Sequence, residues 1–281
     1  MRNMASGSGA SQKGIAAIVG VGPNLGRSIA RKFSQEGYTV AILARDLGRL
    51  SRFAEEIARE AKAQVFAIRI DCSDSQSIRE AFEGVLSLGF VEVLVYNAYQ
   101  QQQPVSFISS SSSSSSSVSN TNTISNTQLY PTSFTDVRID SFEKSLAVST
   151  VGAFHCAQQV LPGMVERRKG TILFTGCSAS LNGFPGFTEL CCGKFALRAL
   201  SQCLAKEVQP LGVHVAHIII DGIIGPPRSS SPSRSMVGEQ QGGVLDPDAL
   251  AQTYWYLHVQ DRSAWTHEID LRSANSNNFN I

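Results

Sequence analysis

No stretch of this 281-residue chain stays apolar for the roughly 18 residues that a membrane-crossing helix needs, so no membrane association is expected. Charge of either sign is also lacking in excess. Lys and Arg number 24 against 23 Asp and Glu, a net charge of +1 with a pI near 7.6. That balance gives no electrostatic case for a nucleic-acid partner or an anionic surface. Metal-ligand spacing is missing too. Cys72, Cys156, Cys177, Cys191, Cys192 and Cys203 form no Cys-x-x-Cys pair, and the five histidines are scattered, so no metal is expected. His214 and His217 fall in an apolar strand pattern, which turns their side chains to opposite faces. The cysteines read as free thiols of a reducing compartment, and a cytoplasmic location is expected. Residues 1–13 are rich in Ser and Gly, lack the apolar core of a secretory signal and are expected to form a disordered tail.

What is present is enough apolar residue for a large core, 42% of the chain, in a length suited to one α/β domain. Residues 15–19 form a short apolar run suited to a buried parallel strand. Gly20, Gly22 and Gly26 follow, and from Leu25 the apolar positions Leu25, Ile29 and Phe33 recur at helical spacing until Gly37. Strand, glycine turn and helix together make a cradle for a dinucleotide pyrophosphate: the glycines allow close backbone approach, and the helix N-terminus offers free N–H groups. The spacing Gly-x-Gly-x-x-x-Gly differs from the commoner Gly-x-Gly-x-x-Gly, and three glycines alone also fit an ordinary tight turn.

Downstream, strands are expected over 39–43, 64–70, 91–96, 170–174, 213–220 and 265–271. Helices are expected over 47–62, 75–88, 140–168 with an interruption near Pro162, 188–209 and 246–259. This alternation predicts right-handed crossovers and a parallel sheet. Regularity breaks over 100–136, with four consecutive glutamines (Gln100 to Gln103), nine consecutive serines (Ser109 to Ser117) and an Asn/Thr/Ser tract. Such a composition cannot offset its ordering entropy, so a mobile surface insertion is expected. Residues 222–243 read as a Pro/Ser/Gly-rich loop, and 273–281 as a frayed tail.

The order of these motifs resembles the short-chain dehydrogenase/reductase family over about residues 14–272. The likeness rests on the glycine turn, Asp71-Cys72 after the third strand, Tyr96-Asn97-Ala98 after the fourth, Gly152-Ala153-Phe154 on the long helix, and Gly193-Lys194-Phe195-Ala196-Leu197. The resemblance implies a doubly wound Rossmann domain with a parallel sheet of about seven strands and helices on both faces. It also implies a nicotinamide cofactor, a small-molecule substrate and a homo-dimer or homo-tetramer. By position, Gly20, Gly22, Asn24, Leu25 and Gly26 would hold the pyrophosphate, and Asp71 and Cys72 the adenine. Asn97 and Ala98 would lie by the ribose, and Lys194 and Gly222 near the nicotinamide. At the end of the second strand Ala44-Arg45 offers no carboxylate for free ribose hydroxyls, and a guanidinium suits a 2′-phosphate, which favours NADP(H) over NAD(H). Arg45 also fits as an ordinary loop arginine.

The chain departs from the family in its catalytic set. The family's tyrosine, four residues before the lysine, exchanges a proton with the substrate oxygen. Here that position is Leu190, which has no proton to exchange. The serine position falls on Cys177, with Ser178 and Ser180 close by, and the asparagine position on Ser149; Asp221-Gly222 replaces the usual Pro-Gly. Lys194 alone of the four is retained, so Lys194, Ser178, Cys177 and Ser149 are the catalytic candidates. Three readings stand. The first is an atypical NADP(H)-linked oxidoreductase of small carbonyls or alcohols, with Ser178, Glu189, Tyr99, Tyr254 or a water activated by Lys194 as surrogate acid. The second is a cofactor-binding protein without turnover, a scaffold or sensor. The third is a non-redox enzyme such as a cyclase or isomerase.

Overall fold

The computed structural model describes residues 13–100, 131–227 and 244–274. The first half of the chain runs β1 (Ile15–Val19), α1 (Leu25–Gln35), β2 (Thr39–Ala44), α2 (Leu47–Ala61), β3 (Val65–Arg69), α3 (Ser75–Ser87) and β4 (Val91–Tyr96). The second half runs α4 (Ile139–Leu146), a π turn (Ala147–Val151), α5 (Gly152–Glu166), β5 (Gly170–Cys177), α6 (Thr188–Val208), β6 (Val213–Asp221), β7 (Ile223–Ile224), β8 (Val244–Leu245), α7 (Pro247–His258) and β9 (Glu268–Arg272). Seven strands form one parallel sheet in the order β3-β2-β1-β4-β5-β6-β9. The order reverses between β1 and β4, so a crevice opens at their C-terminal ends, where open α/β sheets bind ligands.

Each strand feeds two cores because its side chains alternate. On β1, Ile15, Ala17 and Val19 pack with α3, α5 and α6 (Phe82, Cys156, Leu197), while Ala16 and Ile18 pack with α1, α2 and α7 (Phe33, Ile57, Leu257). The sheet is therefore covered on both faces, which explains near-continuous apolar strands. His214 and His217 do lie on opposite faces, His214 stacked on Trp265 and His217 bonded through Nδ1 to Glu268 at 3.0 Å. Glu92 is the exception in β4: it is buried, yet receives Lys169 Nζ, Tyr38 Oη and the Gly14 N–H, each at 3.0 Å. Burial alone would raise its pKa, but these donors outweigh it and hold the carboxyl below its usual value.

Three expectations need correction. The long helix is not interrupted at Pro162, which lies inside α5; the irregularity is the π turn at Ala147–Val151, which ends eleven residues before it. Pro162 and Gln158, whose carbonyl loses its partner, are both exposed, so water can replace the missing bond. Strand β5 runs on to Cys177, because Gly176 and Cys177 continue the ladder opposite Ile219 and Ile220. The region expected as plain loop after β6 contributes a two-residue parallel pair, β7 with β8. Most of the expected insertion lies outside the described residues. Its described end is held by the Thr132 N–H donating to the Gly186 carbonyl at 2.9 Å. Apart from Lys13 and residues 273–274, the expected tails also lie outside the described residues, as do 228–243.

Candidate active site

The glycine turn sits over the crevice between β1 and β4. Gly20 has φ +86°, and a Cβ there would stand 2.4 Å from the Ala98 nitrogen, so only glycine allows the turn to lie on the end of β4. The contact is bolted from both sides. The Gly20 and Val21 N–H groups donate to the Leu43 carbonyl at 2.9 and 3.1 Å, and Asn97 Nδ2 donates to the Gly20 carbonyl at 3.0 Å. Gly22 differs: it lines the cleft, and a Cβ there would meet nothing within 4 Å. Its lack of a side chain serves the space in front of it. Asn24 is the N-cap of α1 but makes no side-chain cap; its Nδ2 donates instead to the Ile224 carbonyl at 3.1 Å. The first turn of α1 carries no acidic residue, so its N-terminus presents uncapped N–H groups and partial positive charge. These features fit an anionic pyrophosphate.

The cleft holds about 630 Å³ and runs from this turn in two directions. At one end stand Ala44, Arg45, Arg49, Asp71 and Cys72. Asp46 is the N-cap of α2; its Oδ1 accepts the Arg49 N–H at 3.0 Å, so the nearby carboxylate is already engaged. Asp71 Oδ1 accepts from Ser73 N at 2.9 Å and Ser73 Oγ at 2.7 Å. Burial would raise the Asp71 pKa, but these bonds, with Arg45 and Lys144, hold it low and the group ionised. Cys72 is buried, its thiol lowered chiefly by the Cys156 thiol beside it.

At the other end are Val148, Thr175, Gly176, Cys177, Leu190, Lys194, Tyr99, Gly222 and Ile223. Lys194 is 4% exposed, and its Nζ donates to the Thr175 carbonyl at 2.7 Å. Burial pulls its pKa down, opposed by Cys177. Thr175 is fixed in turn by Tyr254, Oγ1 to Oη 2.6 Å. Lys194 Nζ lies 5.8 Å from the centre of the Tyr99 ring.

The structure thus gathers Gly20, Gly22, Asn24, Leu25, Gly26, Arg45, Asp71, Cys72, Asn97, Ala98, Cys177, Lys194 and Gly222 on one cleft. It leaves Ser149 and Ser178 off the described lining. Ser149 is buried against α6, where a Cβ on Gly193 would stand 2.9 Å from Ser149 Oγ, so it spaces two helices. Ser178 begins a 3₁₀ turn and accepts the Leu181 and Asn182 N–H groups through its carbonyl. Of the surrogate acids, Glu189 is 6% exposed and does not line the cleft, and Tyr254 is fully buried in the core on the other face. Arg49, four residues after Arg45 and in the first turn of α2, also lines the cleft; the Arg-x-x-x-Arg spacing is its one signal in the sequence.

Comparison with known proteins agrees with this geometry. The family model "short chain dehydrogenase" matches residues 14–129 and 124–230. A 3-ketodihydrosphingosine reductase of Bos taurus is 24% identical over 239 residues, which are 84% of this chain; the match takes in only 62% of that relative's length. A short-chain dehydrogenase structure from Rhodopseudomonas palustris is 26% identical with a TM-score of 0.71, covering 92% of this chain and 98% of that one. An alcohol dehydrogenase from Thermococcus sibiricus, solved with 5-hydroxy-NADP, shares the fold at a TM-score of 0.73 and 21% identity, covering 95% and 99%. With most of its length matched by the family model and its glycine turn and lysine meeting on one cleft, the chain belongs to the short-chain dehydrogenase family.

Proposed function

We propose that the chain is an NADP(H)-linked oxidoreductase acting on a small carbonyl or alcohol compound. One observation carries the reading: the buried Lys194 amine and the open glycine turn share a single cleft, the minimum that a dinucleotide and a second reactant need. When bound, the cofactor would supply or accept a hydride. The chain's own part is positioning. Gly22 and the N-terminus of α1 would hold the pyrophosphate, Asp71 the adenine amino group, and Lys194 the nicotinamide-side ribose. Arg45 and Arg49 would hold a 2′-phosphate, a group that guanidinium forks match well.

Calorimetric titration with NADPH and NADH tests this reading. NADPH should bind the more tightly, and Arg45→Ala should weaken NADPH at least tenfold, about 1.4 kcal/mol, with NADH nearly unchanged. Equal losses for both would remove the phosphate role, and no binding of either would remove the cofactor.

Leu190, at the family's proton-donor position, favours a second reading: dinucleotide binding without turnover, or a non-redox reaction such as a cyclisation or isomerisation in the same cleft. Tight NADPH binding with no carbonyl reduced would select it.

The assembly proposed is a homo-dimer or homo-tetramer pairing α5 and α6. Val151 at the end of the π turn, Phe154 on α5, and Cys192 and Phe195 on α6 are exposed, an apolar set that pairing would bury. Light scattering should give twice or four times the chain mass, and Phe195→Asp should lower it to one chain. The six unpaired thiols suit a reducing compartment such as the cytoplasm.

A further inference from the structure

We infer that Tyr99 is the proton donor of this reaction, a phenol brought from the end of β4 to serve the lysine whose usual tyrosine position is Leu190. The inference rests on the oxidoreductase reading above and names the group that completes it. In carbonyl reduction a hydride, carrying two electrons, adds to the carbonyl carbon and leaves the cofactor oxidised. The carbonyl π bond breaks, and the oxygen needs one proton to become an alcohol. Leu190 faces the cleft with no proton to give, Ser178 is off the described lining, and Tyr254 and Glu189 are buried elsewhere. Tyr99 lines the cleft, is 39% exposed, and is the one phenol there among the described residues.

Its position follows from the strand that carries it. Two residues earlier, the Asn97 N–H donates to the Val19 carbonyl at 2.8 Å and Asn97 Nδ2 to Gly20, so the end of β4 is pinned to the glycine turn. Lys194 Nζ over the ring holds the aromatic plane by cation–π attraction. The thiol of Cys177, on the same wall, is a weaker hydrogen-bond donor than a phenol. Burial, with Cys177 adding to it, keeps the Tyr99 hydroxyl protonated beyond its ordinary range. The protonated phenol is the form that reduction needs; a weaker acid than an ordinary phenol, it still gives its proton to the far more basic alkoxide that hydride addition creates, and the phenolate left after transfer recovers a proton from water at the cleft mouth.

Tyr99→Phe keeps the ring and removes the hydroxyl with its proton. The probes are 9,10-phenanthrenequinone and diacetyl, with NADPH binding followed separately by calorimetry. We expect kcat to fall about 100-fold or more while the NADPH Kd stays within about twofold. The pH profile should change form. Wild type should stay level through neutral pH, because Tyr99 remains protonated, whereas the residual rate of the variant should fall as pH rises, because its proton then comes from solvent. A variant kcat within about threefold of wild type, or an unchanged profile, overturns the inference while leaving the oxidoreductase reading intact. Wild type that binds NADPH but reduces neither probe rejects that reading, and the donor role with it.

Discussion

Lys194→Met should lower kcat/KM for carbonyl reduction by about three orders of magnitude, the loss expected when a group that orients both cofactor and acid is removed. The amine donates to the Thr175 carbonyl at 2.7 Å and lies 5.8 Å from the centre of the Tyr99 ring; Met can supply neither charge nor donor. Stability should not follow activity. An ammonium with so little exposure pays a desolvation cost that its neighbours only partly return, so a methionine of similar length should leave the melting temperature unchanged or higher. The pH dependence separates the two effects. Burial lowers the folded-state pKa below that of the unfolded chain, so the unfolded state binds the proton more tightly between the two values. Wild type should therefore gain stability as pH rises through that window toward the ordinary lysine value, and the variant should lack this gain. Activity should run the other way, its alkaline limb beginning where Lys194 loses its cation. A loss of kcat/KM under about tenfold would remove Lys194 from the proposed mechanism.

The second large effect lies in a pair of glycines two residues apart. Gly20→Ala should destabilise the protein by roughly 3 kcal/mol and abolish dinucleotide binding. The methyl would stand 2.4 Å from the Ala98 nitrogen and 2.6 Å from its Cα, at a φ of +86° that alanine disfavours, and both neighbours are backbone that cannot turn aside. For a chain of this size that corresponds to a fall of about 6–12 °C in the melting temperature. Gly22→Ala should leave the melting temperature unchanged or slightly raised, since its φ is ordinary and its Cβ meets nothing within 4 Å. It should still weaken NADPH, because the methyl occupies the space where the pyrophosphate would approach. Calorimetry with thermal melts reads both variants. If Gly22→Ala binds NADPH as wild type does, the open space before the turn is not the cradle.

The two glycines also mark how far the sequence could be read. Both stood in one motif and suggested one role, yet Gly20 is required by the fold and Gly22 only by the space before it. Asn97 was read as a ribose neighbour; it lines the cleft, but its side chain also clamps the Gly20 carbonyl. Ser149 holds the position of the family's asparagine, and in the fold Gly193 packs against it. Arg45 and Arg49 line the same cleft only because the chain turns into α2 between them, which their spacing alone does not say.

What the sequence determined by itself is local. Apolar runs and helical spacing set the order of the sheet's strands and of the helices, and the bounds of β1 and β4 to the residue, because backbone periodicity is written into neighbouring side chains. The doubly wound order followed from strand–helix alternation and the handedness of crossovers. The tertiary structure alone decided which chemistry shares the cleft. Tyr99 and Lys194 come from the end of β4 and from α6, and no spacing rule links them; they meet because the sheet brings β4 beside β5, and Lys194 reaches back to the Thr175 carbonyl at the end of β5. Proximity between distant segments depends on register and packing of the whole sheet, a property no short motif carries.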